Sequence, residues 1–107
     1  HNAWAQNLAV GRDAVGVEFA TPSVTSPGFE YTLSGVDPAE ISRAVRARNP
    51  DLAFLDASRR GYTSVLLTPD SVTGNFHFLK TVRGHDLSLA ETRTLRALYG
   101  AKRLERA

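Results

Sequence analysis

A chain of 107 residues, 42% hydrophobic and 22% charged, has room for one small domain with a real core, and its composition is that of an ordinary globular protein. Lys and Arg together number 13 against 11 Asp and Glu, a net charge of +2, which is too small to indicate nucleic acid as a partner. Cysteine is absent, excluding disulfides and thiolate metal sites, and no apolar run approaches the roughly 18 residues that a membrane span needs.

The chain opens on His1 rather than Met, so an upstream continuation is expected. Residues Ala5 to Val10 read as a first strand, paired across the tight turn Gly11-Arg12-Asp13 with a second over 14–20. In that second strand Val15, Val17 and Phe19 alternate with Gly16, Glu18 and Ala20, the period of a half-buried strand. It runs into a proline-stiffened loop, Thr21-Pro22-Ser23-Val24-Thr25-Ser26-Pro27-Gly28. Residues 38–48 form the clearest helix: Asp37 is the N-cap, Pro38 suits the first turn and Glu40 completes a capping-box spacing. Asn49-Pro50 stops it, because a residue before proline avoids the helical region.

Three more strand-like runs follow at 52–57, 62–68 and 75–82, separated by turn chemistry at 58–61 and 69–74. Residues 89–106 support two readings. Ser88 and Glu91 have capping-box spacing and Leu95, Leu98 and Tyr99 lie at helical spacing before Gly100; the same residues also suit a hairpin turning at Tyr99-Gly100-Ala101-Lys102. The class is α+β, mostly antiparallel or mixed strands with one clear helix, and 1–107 is read as a single unit. Apolar runs such as Ser64-Val65-Leu66-Leu67 call for cover on both faces. One or two helices cannot cover a five-stranded sheet, so part of the fold is expected to lie elsewhere.

Few residues carry chemistry on their own. His1 beside Asn2 and Trp4 could be a metal ligand or a solvated end. His77 reads as a bonded sheet histidine and His85 as a loop residue, and the three show no metal-binding spacing. Glu18 suits either a base or ligand, or a paired strand carboxylate. Basic residues are lopsided, two Lys against 11 Arg, and Arg favours bidentate contact with phosphate or carboxylate. Arg59 and Arg60, followed by Gly61, could clamp an anion or stack on Tyr62 and pair with Asp56. Thr21, Ser23, Thr25 and Ser26 could line a polar pocket or satisfy their own backbone. No serine-nucleophile motif or phosphate-binding glycine loop is present.

Taken in order, His1-Asn2-Ala3-Trp4-Ala5, Val17 through Ser26, Asn49-Pro50, Ser58-Arg59-Arg60-Gly61-Tyr62 and Leu67-Thr68-Pro69-Asp70 resemble the C-terminal part of the alkaline phosphatase D (PhoD-like) family, within the calcineurin-like metallophosphoesterase superfamily. The similarity thins after about residue 83. His1 and Asn2 resemble the end of the family's Gly-Asp-x-His motif, often followed by Asn, which implies a catalytic role for both and places His1 at the metal centre, as a metal ligand or as a hydrogen-bonding group beside it. The resemblance implies an α/β/β/α sandwich of which this chain is the C-terminal segment, and strands rather than a helix near Leu95 to Leu104. It further implies a phosphate-ester substrate, the N-terminal part of the same fold as partner, a divalent metal (calcium, with iron as an addition) and a periplasmic or secreted location. Thr21, Ser23, Thr25, Ser26, Arg59 and Arg60 are candidates for the substrate rim. The superfamily's Asp-x-His, Gly-Asp and Gly-Asn-His motifs lie outside these residues, so no tight metal binding and no catalysis are expected of the chain alone. A non-catalytic anion-binding or assembly module is the alternative.

Overall fold

The computed structural model describes all 107 residues, His1 to Ala107. Seven strands form two antiparallel sheets. The first has the order β2-β1-β3, from β1 (Ala3–Val10), β2 (Asp13–Ala20) and β3 (Leu52–Asp56). The second has the order β4-β5-β6-β7, from β4 (Gly61–Leu67), β5 (Ser71–Leu79), β6 (Leu89–Leu98) and the short β7 (Glu105–Arg106). Every neighbouring pair is antiparallel, so the mixed pairing allowed by the sequence does not occur within the chain.

The core lies between the sheets. Ala3 and Ala5 of β1 meet Phe76 and Phe78 of β5 and Leu95 of β6, with Phe19 and Phe54 packed against them. Phe76 and Phe78 are the largest fully buried side chains, and the Phe54 and Phe76 rings sit 5.1 Å apart in a tilted pair, a favoured aromatic geometry. Small alanines on β1 leave room for the two rings opposite, which is how the layers interdigitate. Gly74 is buried beneath Phe19: a Cβ there would stand 2.4 Å from Phe19 Cδ1.

The helix reading holds at both ends. Helix α2 spans Pro38–Arg48, after a single turn α1 (Phe29–Thr32) that the sequence did not indicate. Asp37 caps α2, but Oδ1 accepts from Ala39 N at 2.8 Å, so the cap bond reaches Ala39 rather than Glu40. Ile41 is its buried residue, and the helix lies along β3.

Several boundaries differ from the sequence reading, those of β2, β3 and β4 by one residue and those of β1 and β5 by more. The first strand starts at Ala3 rather than Ala5, because β1 is central: Ala3 pairs with Asp56 of β3, and Trp4 with both Leu55 of β3 and Ala20 of β2. Strand β5 starts at Ser71 rather than Asn75, and the turn is confined to Thr68–Ser71, where Thr68 N donates to Ser71 O at 2.9 Å. It stops at Leu79, with 80–82 outside the strand. Residues 89–98 are strand, overturning the local helix signal. Along β6, Glu91, Arg93, Leu95 and Ala97 fall opposite Phe78, Phe76, Gly74 and Val72, and Thr92 and Thr94 favour the extended backbone. The hairpin reading holds: Gly100 and Lys102 take φ of +77° and +50°, and Leu95 and Arg96 pair with Arg106 and Glu105. Finally, the strands are divided between two stacked sheets rather than gathered in one, so each covers part of one face of the other.

Candidate functional site

Because β1 runs antiparallel to both its neighbours, one end of the three-stranded sheet carries the start of β1 and the ends of β2 and β3. Trp4 is opposite Ala20, and Ala3 is opposite Asp56. His1-Asn2, the hydroxyl loop and the Ala57–Arg60 turn therefore emerge together, though far apart in sequence.

Asn2 is the anchor of this edge. It is buried, and its Oδ1 accepts from Phe29 N at 3.0 Å. The His1 backbone nitrogen donates to Pro27 O at 3.2 Å, while its side chain lies at the surface. Between them Gly28 has no room for a side chain, since a Cβ would fall 2.3 Å from Asn2 Oδ1 and 2.8 Å from Ala57 O. The loop's hydroxyls partly serve its own backbone: Ser23 Oγ accepts from Thr25 N at 3.1 Å and Ser26 N at 2.9 Å. The Thr21 hydroxyl donates to Pro22 O at 3.3 Å. Such local bonds fix a loop lacking regular structure. Gly61 N donates to Ser23 O at 3.2 Å, tying the loop to the start of β4.

Arg59 and Arg60 turn apart. Arg60 Nη2 meets Glu30 Oε1 at 2.5 Å and Nη1 donates to Ser58 O at 2.7 Å. Glu30 follows Phe29 directly, so this pair leads back to Asn2. Burial pushes the Glu30 carboxyl up, but the hydrogen bond from Arg60 helps to hold it below its ordinary value. Arg59 points the other way, with Nε 2.6 Å from Asp56 Oδ2 and Nη1 2.7 Å from Glu91 Oε2. Its guanidinium lies over Phe78, 4.0 Å from the ring centroid, rather than over Tyr62. The hydrogen bond from Arg59 holds Glu91 below its ordinary value. Both arginines thus have carboxylate partners from within the chain.

The remaining candidates are placed elsewhere. The Glu18 carboxylate accepts from Trp4 Nε1 at 2.9 Å and Gln6 Nε2 at 2.7 Å. His77 bridges Ser64 Oγ at 2.9 Å and Thr92 Oγ1 at 3.1 Å, stacked near Tyr62, a cross-strand bonding role. His85 is exposed in the loop between β5 and β6. Glu30 and Gly28 escaped the sequence reading. Glu30 sits in a four-residue helix with no periodic signal, and Gly28 looks like an ordinary loop glycine until Asn2 folds against it.

The edge does not by itself fit a divalent metal. Asn2 Oδ1 is engaged by Phe29, the nearby Glu30 is paired, and no three His, Cys, Asp or Glu side chains converge anywhere in the chain. A catalytic metal needs several such ligands before it can activate water.

A family model described as PhoD-like phosphatase matches residues 1–76, a span that holds every residue of this edge from His1 to Gly61. No curated protein and no solved structure matches the chain. With more than half of its length matched by that model, the chain belongs to the PhoD-like phosphatase family.

Proposed function

We propose that this chain is the C-terminal segment of a metal-dependent phosphatase or phosphodiesterase domain, and that the His1-Asn2 edge faces its catalytic centre. One observation carries the reading: the buried Asn2 is held by Phe29 N and packed against Gly28, and the adjoining His1 is tied through its backbone nitrogen to Pro27 O, at the same end as the hydroxyl loop and the Arg60–Glu30 pair. These bonds hold the backbone on either side of the His1 ring, while the ring itself is exposed and bonds nothing within the chain, which leaves it available to a centre completed from outside these residues. In this reading His1 contacts a divalent metal, calcium with or without iron, whose other ligands come from outside these residues. That metal would polarise the phosphoryl group and activate water. The hydroxyl loop shapes the rim near the phosphate ester, and export to the periplasm or beyond accompanies the family resemblance.

It follows that the 107-residue chain alone is inactive. Pure chain supplied with calcium or iron and p-nitrophenyl phosphate should show no turnover above buffer. Metal-dependent turnover by this chain would overturn the proposal, because a complete ligand set would then have to exist within it.

A further inference from the structure

On the far side of β3 from β1, helix α2, the outer edge of β3 and strands β6 and β7 enclose an open cleft of about 470 Å³, a volume in the range of small-ligand sites. Five arginines line it: Arg43 and Arg46 from α2, Arg59 from the turn after β3, Arg93 from β6 and Arg106 from β7. Asp56 is the one carboxylate among the lining residues. It is occupied by Arg59, while Glu91, alongside, bonds Arg59 at 2.7 Å and Arg93 at 3.2 Å. Two carboxylates therefore face five guanidinium groups.

The surplus is not dispersed over a flat surface. Arg43 and Arg106 make no ion pair within the chain, and Arg46 reaches only the Leu52 carbonyl, at 3.4 Å. The Nε of Arg93 is buried with no hydrogen-bond partner, and a buried donor without an acceptor is rare in a native fold. Like charges converging from a helix, a turn and two strands repel one another unless an anion sits between them.

We propose that this cleft binds a compact oligophosphate, a diphosphate or triphosphate group, gripped by Arg43, Arg46, Arg93 and Arg106. Phosphate oxygens match the planar guanidinium fork in bidentate pairs. An oligophosphate carries a comparable number of charges on a short body, which suits walls that approach from several sides. Arg59 supports the site from its fixed position between Asp56 and Glu91. The inference does not depend on His1, Asn2 or any metal, and the four binding arginines have no part in the proposed catalytic edge.

Isothermal titration of the intact protein with inorganic tripolyphosphate tests it. Saturable binding at one site per chain is expected, weakening as salt is raised. Arg43→Gln and Arg106→Gln should each weaken it by about tenfold, the loss of one charge-assisted contact. Arg83→Gln, in an exposed loop and not among the residues that line the cleft, should leave it unchanged. Titration with ATP and AMP identifies the source: ATP no tighter than tripolyphosphate points to free oligophosphate, and tighter ATP points to a nucleotide, with AMP weak in both cases. Absence of saturable tripolyphosphate binding, AMP binding as tight as ATP, or equal losses from Arg83→Gln and Arg43→Gln would overturn the assignment. Both cleft variants alter exposed side chains, so matched thermal melts separate lost binding from lost fold.

Discussion

Glu30 links the two halves of the candidate edge: its backbone follows the Phe29 N–H that Asn2 accepts, and its carboxylate holds Arg60. The folded carboxyl ionises more readily than an unfolded one, so the ion pair contributes stability above the ordinary Glu range. That contribution is lost as pH falls through the depressed folded value. Glu30→Gln should lower stability at neutral pH by about 1 kcal/mol, as expected for a half-buried pair. It should also shrink the stability difference between neutral and acidic conditions. Urea melts across that range measure both, and a variant with the parent's full pH dependence would remove Glu30 as a source of it.

At the scale of elements, the legible parts were those whose signals are local. Asp37-Pro38 and Asn49-Pro50 delimit α2 because cap and breaker act within a few residues of themselves. The alternation of Val15, Val17 and Phe19 marks β2 for the same reason. What escaped depends on distant chain. Val72-Thr73-Gly74 reads as turn chemistry, yet Gly74 is glycine because the Phe19 ring, 55 positions earlier in the sequence, needs its space. Ser88 and Glu91 offer a helix start, but the open edge of β5 captures the segment along the full length of β6. At His1-Asn2 the residues alone leave a metal ligand and a solvated end both open, and the family resemblance is what points to the candidate edge. The arginine cleft was invisible because its members lie between positions 43 and 106, with no spacing that announces their convergence. Gly74→Ala tests the close approach. It should cost about 1–3 kcal/mol, since the Phe19 ring or the β5 backbone must move. Chemical denaturation measures the loss, and parent-like stability would show that Phe19 rotates aside freely.

The whole molecule is two unequal layers. Phe19 of β2 lies on Gly74 of β5, so β4, the next strand out, extends past the cover of the three-stranded sheet. On that flank Val65 and Leu67 are 53% and 75% exposed, and Val15 of the edge strand β2 is 51% exposed. Two open strand edges bearing apolar side chains are a pairing surface. The opposite flank carries α2 and the arginines. The 107-residue chain alone should therefore self-associate through the β2/β4 flank, and Val65→Lys with Leu67→Lys should suppress it. Sedimentation over a range of concentrations reads this directly; a parent chain that stays monomeric throughout would show that the flank is tolerated in water.

The most direct test of the central claim is p-nitrophenyl phosphate hydrolysis by the protein made from the complete native gene, compared with its His1→Ala variant. The account predicts metal-dependent turnover in the parent and a loss of at least about 100-fold in the variant, since a residue that contacts the metal should cost more than the roughly 10–100-fold typical of the residues that support its ligands. Equal turnover by the two proteins would contradict it, and would remove the His1-Asn2 edge from the catalytic centre.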